Sequence, residues 1–324
     1  MTPSLSLAAY TLRFPLMGGS ASVEFVADSG DAEAERVARA VETEARRIET
    51  KFSRYREASV VSEINRNAGR TPVAVDEETD MLVGSALALA RSTGGRFDPT
   101  VGPLRRAWDF RSGRVPTPEE IGALLPLVDA GAVSLRNRTV FLRREGMEID
   151  LGGVGKEYAV DRAADILRRA GVRAGTVDFA GDVSTVGSRL DGRPWSVAVR
   201  DPRDPGSARF TVRVVGDAGV ATSGDYERGF VRDGVRYHHI LDATTGWPAR
   251  GAASVTVVAR STFDAGRHAT AAFLLGPEAG VELLERASGV EGAVITEEGE
   301  VLATRGMAHL SDLPGSAYSA CPAL

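Results

Sequence analysis

The stretch Glu148-Ile-Asp-Leu-Gly-Gly-Val-Gly-Lys-Glu-Tyr-Ala-Val-Asp161 holds the most specific local signal in the chain. A short apolar run surrounds Asp150, and three glycines within the four residues 152–155 lead to Lys156, where a helical pattern starts. Glycines let the backbone approach a ligand closely, and helix N-terminal N–H groups beside a lysine suit a phosphate. The stretch predicts a strand, a glycine loop and a helix facing a nucleotide phosphate. Asp150 could hold a metal, a ribose or only the turn.

Two standard phosphate loops do not fit this stretch. A Walker A loop would need glycine at position 150 and serine or threonine at 157, where the chain has Asp150 and Glu157. The dinucleotide fingerprint started from Gly153 would need a glycine at 158, where Tyr158 stands. On local grounds an ordinary strand–turn–helix junction therefore remains an alternative to a ligand site.

Composition excludes several classes of protein. The chain has 324 residues, of which 43% are hydrophobic, enough for one large domain or two closely packed ones. Its net charge of −5 gives no general attraction to nucleic acid. No apolar run approaches the roughly 18 residues of a membrane helix, and no signal peptide is recognised at the amino terminus. A single cysteine, Cys321, excludes an internal disulfide framework, so a cytoplasmic protein is predicted.

Helical and strand patterns alternate along the chain, which favours an α+β or α/β fold. Residues 12–27 predict a strand pair or a bent strand, and Arg138–Arg144 predicts another strand. Helices are predicted over Asp31–Lys51, from an Asp76 N-cap to Ser92, over Pro116–Leu125, from Lys156 to Gly171 and over Phe263–Leu275.

Eight islands of sequence carry a resemblance to a known family. They are Leu16-Met-Gly, Phe52-Ser-Arg-Tyr55 with Ser59 and Asn65, Gly95-Arg-Phe-Asp-Pro-Thr-Val-Gly-Pro103 with Trp108, Asp150-Leu-Gly-Gly-Val-Gly-Lys156 with Asp161, Gly181-Asp182, Thr222-Ser-Gly-Asp-Tyr-Glu-Arg228, His239-Ile-Leu-Asp242 with Thr245-Gly246, and Ala269-Thr-Ala-Ala-Phe-Leu-Leu-Gly276. Each is weak alone. In this order they resemble the FAD:protein FMN transferases, the ApbE-type flavin transferases.

The resemblance implies an α+β fold, with interleaved helices and a mostly antiparallel sheet, in a single domain over residues 1–324. It also implies binding of FAD and of a divalent metal, usually Mg²⁺. The implied partner is an acceptor flavoprotein with a threonine motif, with no nucleic acid and no membrane involved. FMN would pass from FAD to the threonine hydroxyl and AMP would leave. Two alternatives stay open: an FAD carrier that has lost transfer, and a pyrophosphatase that hydrolyses FAD.

The same resemblance assigns roles to individual residues. His239 matches the base toward the acceptor threonine, and its ordinary pKa suits that task near neutral pH. The Gly153 carbonyl and the Thr270 hydroxyl match metal ligands. By its position Met17 could lie over a flat ligand, although a core methionine before a bulge is the local alternative. The FAD contacts implied are Met17, Tyr55, Arg96, Phe97, Asp98, Asp150, Lys156, Ser223, Arg228 and Ile240.

The chain departs from the family pattern at the metal site. The acid expected four residues before Thr270 falls on Gly266, and Asp264 stands two residues earlier. Two residues rotate a helical side chain by about 200°, so Asp264 is a metal ligand only if the loop folds back. Glu157 replaces the glycine expected after the lysine, and the other departures are Ala180 for a glycine and Ala243 for a proline. The missing acid favours the carrier, whereas His239 and Thr270 favour the transferase.

Overall fold

The computed structural model describes residues 8–27 and 30–314, so Cys321 lies outside the described residues. The helices are α1 (Asp31–Phe52), α2 (Val60–Arg66), α3 (Glu77–Ser92), α4 (Pro118–Leu124), α5 (Gly155–Arg169), α6 (Thr262–Leu275), α7 (Pro277–Arg286) and α8 (Met307–Leu310). The strands are β1 (Ala8–Leu16), β2 (Gly19–Ala27), β3 (Val73–Ala74), β4 (Val133–Arg136), β5 (Thr139–Leu142), β6 (Ala174–Phe179), β7 (Asp182–Gly187), β8 (Trp195–Arg200), β9 (Ala208–Val214), β10 (Ala218–Gly224), β11 (Gly229–Arg232), β12 (Val235–His238), β13 (Leu241–Asp242), β14 (Trp247–Pro248), β15 (Ala252–Ala259), β16 (Glu291–Thr296) and β17 (Val301–Ala303).

A large sheet organises the fold. Its eight strands follow the order β1-β2-β6-β7-β10-β15-β16-β17, and every neighbouring pair runs antiparallel. Helices occur between the strands in the chain rather than in a separate block. The predicted α+β class with a mostly antiparallel sheet is confirmed.

Both faces of the central strands are covered. Val255 and Val257 of β15 belong to the apolar cluster that includes α6 and α7 residues. Val258 of the same strand belongs to the cluster that includes β8 and β9. All eight residues of β15 are therefore buried, because helices cover one face and a β-hairpin covers the other. The strand that pairs with β10 and neighbours α6 is thus rigidly held.

Helix prediction is confirmed where apolar spacing is strong. Helix α1 buries Val37, Val41 and Ile48 on one face, as the 3.6-residue period requires. The Asp76 carboxylate caps α3 by accepting the Thr79 N–H. The short helix α2, within a polar and aromatic stretch, is not predicted by the pattern.

The strand predicted before the glycine loop is wrong. Only Glu148 forms a β-bridge there, with Val101. The next residue is paired by a side chain instead: the Ile149 N–H donates to Asn65 Oδ1 at 2.7 Å and the Ile149 carbonyl accepts from Asn65 Nδ2 at 3.0 Å. The amide of Asn65 thus satisfies the backbone groups that a neighbouring strand would otherwise pair.

The residues predicted as a strand pair form the β1–β2 hairpin. Met17 and Gly18 are its two turn residues, with φ of 50° and 77°, and Leu16 pairs with Gly19 across them. Two positive φ values match the type I′ geometry favoured in two-residue hairpins. Met17 is therefore a turn residue with no bulge after it, and its half-buried side chain packs against the main apolar cluster. Its contact with FAD remains a prediction. Within the described residues, no helix is long and apolar enough to span a bilayer.

Candidate active site

The glycine loop brings the start of α5 under an aromatic ring. A Cβ built on Gly153 would lie 2.9 Å from Cε2 of Phe97, so any side chain there would collide with the ring. The loop is closed by Asp150, whose Oδ1 accepts the Gly152 N–H at 2.8 Å. Helix α5 then starts at Gly155 and carries Lys156 in its first turn.

Asp150 also orients two arginines. Its Oδ2 lies 3.0 Å from Nε of Arg105 and 3.4 Å from Nη1 of Arg54. Burial acts to raise the pKa of Asp150, but Arg105 and Arg54 together hold it below its ordinary value. The Arg54 guanidinium lies 5.8 Å from the ring centroid of Tyr55, a side chain that is 75% exposed. The Asp150 carboxylate thus contacts the loop and two arginines, and its contact with FAD remains a prediction.

Lys156, whose side chain is partly exposed, forms an ion pair with the buried Asp182 at the start of β7. Its Nζ lies 2.8 Å from Oδ2 of Asp182, which is 1% exposed. Oδ1 of Asp182 accepts the N–H of Thr222 at 3.2 Å, which ties the pair to β10. Burial acts to lower the pKa of Lys156, but Asp182 and Glu157 raise it above its ordinary value. The lysine is thus a fixed positive charge beside the glycine loop.

Thr270 and Ser223 come together from distant parts of the chain. Thr270 lies on α6 and Ser223 on β10, and their hydroxyl oxygens are 3.3 Å apart. The α6 backbone is anchored to α5, because the Asp161 carboxylate accepts the N–H groups of Thr262 at 2.8 Å and Phe263 at 2.9 Å. Asp161, the last residue of the stretch 148–161, therefore holds the start of the helix that carries Thr270.

Replacing Asp161 by alanine is expected to lower the free energy of unfolding by about 1–2 kcal/mol, because two helix N-terminal N–H groups lose their acceptor. Urea denaturation of the ligand-free protein measures this change. The matched control is Asp165→Ala on the same helix, since Asp165 only forms a partly exposed pair with Arg168. Equal losses in the two variants would contradict the anchoring role.

His239 follows the β11–β12 hairpin with its imidazole free of hydrogen bonds at one nitrogen. The backbone N–H of His239 donates to the Arg228 carbonyl at 3.0 Å. The buried ring nitrogen Nδ1 has no partner in the described part of the chain. Burial first, then Arg228, His238 and Arg105, lower its pKa to about 3. The imidazole is therefore neutral near pH 7, but it is also a weaker base than an ordinary histidine. The ordinary pKa expected from the sequence is not found in the ligand-free site, and the role of His239 as base remains a prediction.

His238 differs from its neighbour and is a structural residue. Its Nε2 lies 2.9 Å from the Ala249 carbonyl, so this nitrogen carries the proton. The ring packs edge-on against Phe273 at 5.5 Å. Burial lowers the pKa of His238 to about 4. Both contacts hold the ring of His238 inside the protein.

Two other residues predicted to contact FAD, Arg96 and Asp98, form hydrogen bonds within the protein. Arg96 Nη1 donates to Asp242 Oδ2 and to the Leu274 carbonyl, each at 3.2 Å. The carboxylate of Asp98 accepts N–H groups of Thr100 and Ala130, each at 2.7 Å, so it shapes its own loop. Contacts from Arg96 and Asp98 to FAD remain predictions.

Three further predicted site residues are Arg228, Ile240 and Asp264. Arg228 approaches the hairpin turn, because a Cβ on Gly18 would lie 3.8 Å from its Nη2. Ile240 packs half-buried against the α6 cluster that Phe97 also contacts. Asp264 lies in the first turn of α6 with its half-exposed carboxylate 3.6 Å from Arg267 Nη1. That position gives Asp264 a salt-bridge partner, and its role as a metal ligand remains a prediction.

The sequence model of the ApbE family matches residues 17–294 of the chain. The chain belongs to the ApbE family. A Treponema pallidum protein named FAD:protein FMN transferase is 35% identical over 280 residues, covering 80% of this chain and 76% of the relative. A Vibrio cholerae protein of the same name is 32% identical, covering 84% and 83% of the two chains.

Solved ApbE structures have the same fold. The crystal structure of the ApbE protein from Thermotoga maritima superposes with a TM-score of 0.85 at 36% identity, covering 94% of this chain and 99% of that one. The apo flavinyl transferase ApbE of Pseudomonas stutzeri gives a TM-score of 0.81 at 32% identity, covering 94% and 96%.

Two departures from the ApbE pattern meet in space. A Cβ built on Gly266 would lie 2.4 Å from Cγ of Glu157 and 2.8 Å from its Cδ. Burial, and then Asp182, raise the pKa of Glu157 above its ordinary value, with Lys156 acting in the opposite direction. Glu157 and Gly266 lie far apart in the chain and on different helices, so no local sequence pattern links them.

Another departure falls on a turn. Ala180, at the position where the ApbE pattern has a glycine, joins β6 to β7 with φ of 52°. Left-handed backbone costs a non-glycine residue roughly 1–2 kcal/mol. The turn nevertheless forms, since Phe179 pairs with Asp182 across it and places Asp182 beside Lys156.

Proposed function

We propose that this protein is a flavin transferase that moves FMN from FAD to a threonine hydroxyl of an acceptor flavoprotein and releases AMP, with a divalent metal required. The names of its ApbE relatives support this proposal. The observation that carries it is His239, a half-buried imidazole that is neutral near pH 7 and whose Nδ1 lacks a partner in the residues described. It lies close enough to Arg105 and Arg228 for both to lower its pKa.

Different residues of the candidate site take different parts of the proposed reaction. The acceptor threonine oxygen forms a bond to the FMN phosphorus of FAD, and the bond from that phosphorus to the AMP phosphate oxygen breaks. His239 accepts the threonine proton, and AMP leaves with the bonding electron pair. Arg54 and Arg105, the two arginines paired with Asp150, carry positive charge beside the glycine loop, where it can offset the charge of the pyrophosphate. The charge of Lys156 is already balanced by Asp182 in the ligand-free protein.

The chemistry of the available oxygens fits Mg²⁺. Hydroxyls of Thr270 and Ser223 lie together, and Glu157 contributes a buried carboxylate oxygen, Oε2, without a hydrogen-bond partner in the described residues. The described residues hold no group of three or more His, Cys, Asp or Glu side chains suited to a metal. Mg²⁺ accepts shells rich in water and substrate phosphate, so few protein ligands are needed. When bound, it would neutralise charge on the phosphoryl oxygens.

The transferase reaction is tested by incubating the protein with FAD, Mg²⁺ and an acceptor flavoprotein that carries a threonine motif. Released AMP is measured by chromatography, and covalent flavin is measured by fluorescence of the denatured acceptor. We expect equal amounts of both products, no products with EDTA, and no covalent flavin on an acceptor whose threonine is replaced by valine.

Two results would overturn the transferase proposal and identify the alternatives. Bound FAD with no AMP, under any divalent metal tried, would indicate a carrier. AMP without covalent flavin, at the same rate with and without acceptor, would indicate a pyrophosphatase.

A further inference from the structure

Gly266 and Thr270 share one face of α6, because residues four apart on a helix project in the same direction. A side chain at position 266 would therefore project beside the Thr270 hydroxyl. The space for that side chain is already taken: a Cβ at 266 would lie 2.4 Å from Cγ and 3.0 Å from Oε1 of Glu157. The Glu157 side chain, reaching across from α5, thus occupies the position that a residue-266 side chain would fill.

The surroundings of Glu157 leave its charge poorly balanced. The residue is 8% exposed. The nearby Asp182 carboxylate pairs with Lys156 at 2.8 Å, so one lysine faces two carboxylates. Oε2 of Glu157 is buried and accepts no N–H or hydroxyl hydrogen from the described residues; its polar neighbour is the Asp182 carboxylate, with which only a protonated Glu157 forms a hydrogen bond. A buried carboxylate oxygen without a partner is costly, and a bound cation would remove that cost.

We propose that Glu157 supplies the carboxylate of the divalent-cation site beside Thr270, so that the acid is carried by α5 and Gly266 makes room for it. This inference rests on the proposed metal dependence. The glycine at 266 and the glutamate at 157 are then one paired exchange, in which the acid is carried by α5 and no longer by α6. Asp264 is a weaker candidate, because its carboxylate is half-exposed and 3.6 Å from Arg267.

Mn²⁺ binding to the full-length protein with FAD bound, followed by electron paramagnetic resonance, tests the assignment without reading activity. Glu157→Gln keeps the shape of the side chain and is expected to weaken Mn²⁺ binding at least about tenfold, since a charged ligand is lost. The matched control is Asp165→Asn, an α5 carboxylate that pairs with Arg168 and has no proposed ligand role, and it should bind Mn²⁺ within about twofold of the unaltered protein. Asp264→Asn tests the rival ligand, and under this assignment it does not abolish binding. FAD affinity is measured in each variant, so that loss of FAD is not mistaken for loss of metal.

The reciprocal exchange gives a second test. Gly266→Asp alone places a side chain against Glu157 and is expected to lower the thermal midpoint. Glu157→Gly alone should lose Mn²⁺ as Glu157→Gln does. The double variant Glu157→Gly with Gly266→Asp removes the collision and returns a carboxylate, so both the midpoint and Mn²⁺ affinity should recover. Double-variant values no better than those of the single variants would contradict the paired exchange.

The outcomes separate this inference from the proposed function. Unchanged Mn²⁺ binding in Glu157→Gln, or its loss in Asp264→Asn, would overturn the assignment of Glu157 even if the unaltered protein transfers FMN. Failure of the unaltered protein to bind Mn²⁺ with FAD present would overturn it as well. Conversely, Mn²⁺ binding that depends on Glu157 in a protein that releases no AMP would support the site and overturn the transferase.

Discussion

Replacing His239 by alanine is expected to slow FMN transfer by about 10²–10⁴-fold, the usual effect of removing a general base. The binding of FAD should stay within about twofold, because the role proposed for His239 is to accept a proton from the acceptor threonine and not to hold the nucleotide. The neutral state matters here: burial and nearby arginines keep the pKa of His239 at about 3, so the base form is present near pH 7. Single-turnover transfer from preloaded FAD measures the chemical step.

The control for this variant is His309→Ala, because His309 is exposed on α8. Its transfer rate and its FAD affinity should match those of the unaltered protein. A wild-type transfer rate in His239→Ala would remove the assigned role. A fall in rate matched by an equal fall in FAD affinity would instead indicate that His239 holds the nucleotide.

Local rules in the sequence account for elements whose stability is local. Helix α1 is predicted because its apolar residues repeat along one face, and α3 because Asp76 can cap it. The strand expected before the glycine loop fails for a tertiary reason. The Asn65 side chain, 84 residues away, pairs with the Ile149 backbone. No local pattern encodes that contact.

The candidate site shows the same division. The order of the motifs predicts that Lys156, Thr270 and His239 belong to one site. The residues of the chain that contact them depend on the fold and could not be predicted. Asp182 was recognised in a motif without a role, and the structure pairs it with Lys156. The contact between Glu157 and the Gly266 position joins two helices. The sequence shows a glutamate at 157 where a glycine is expected and a glycine at 266 where an acid is expected. Only the fold shows that these two positions are in contact.

Replacing Lys156 by methionine is expected to lower the free energy of unfolding by about 3–5 kcal/mol, because it leaves the Asp182 carboxylate buried without its counter-ion. Asp182 is 1% exposed, so water cannot substitute for the lysine. Glu157 beside it adds like charge, which makes the loss harder to accommodate. Urea denaturation of the ligand-free protein measures the change. Adding Asp182→Asn should recover most of the stability, since the orphaned charge is then removed as well.

The other lysine of the chain provides the matched control for this prediction. Lys51 also contacts two acids, with Nζ 2.5 Å from Oε2 of Glu78 and 2.5 Å from Oδ2 of Asp76. Yet Glu78 keeps Arg47 at 2.6 Å after Lys51 is lost, and the side chain of Asp76 is 58% exposed. Lys51→Met should therefore cost only about 0–1 kcal/mol. Equal losses at the two lysines would show that burial of Asp182 does not set the cost, and would remove the electrostatic argument for Lys156.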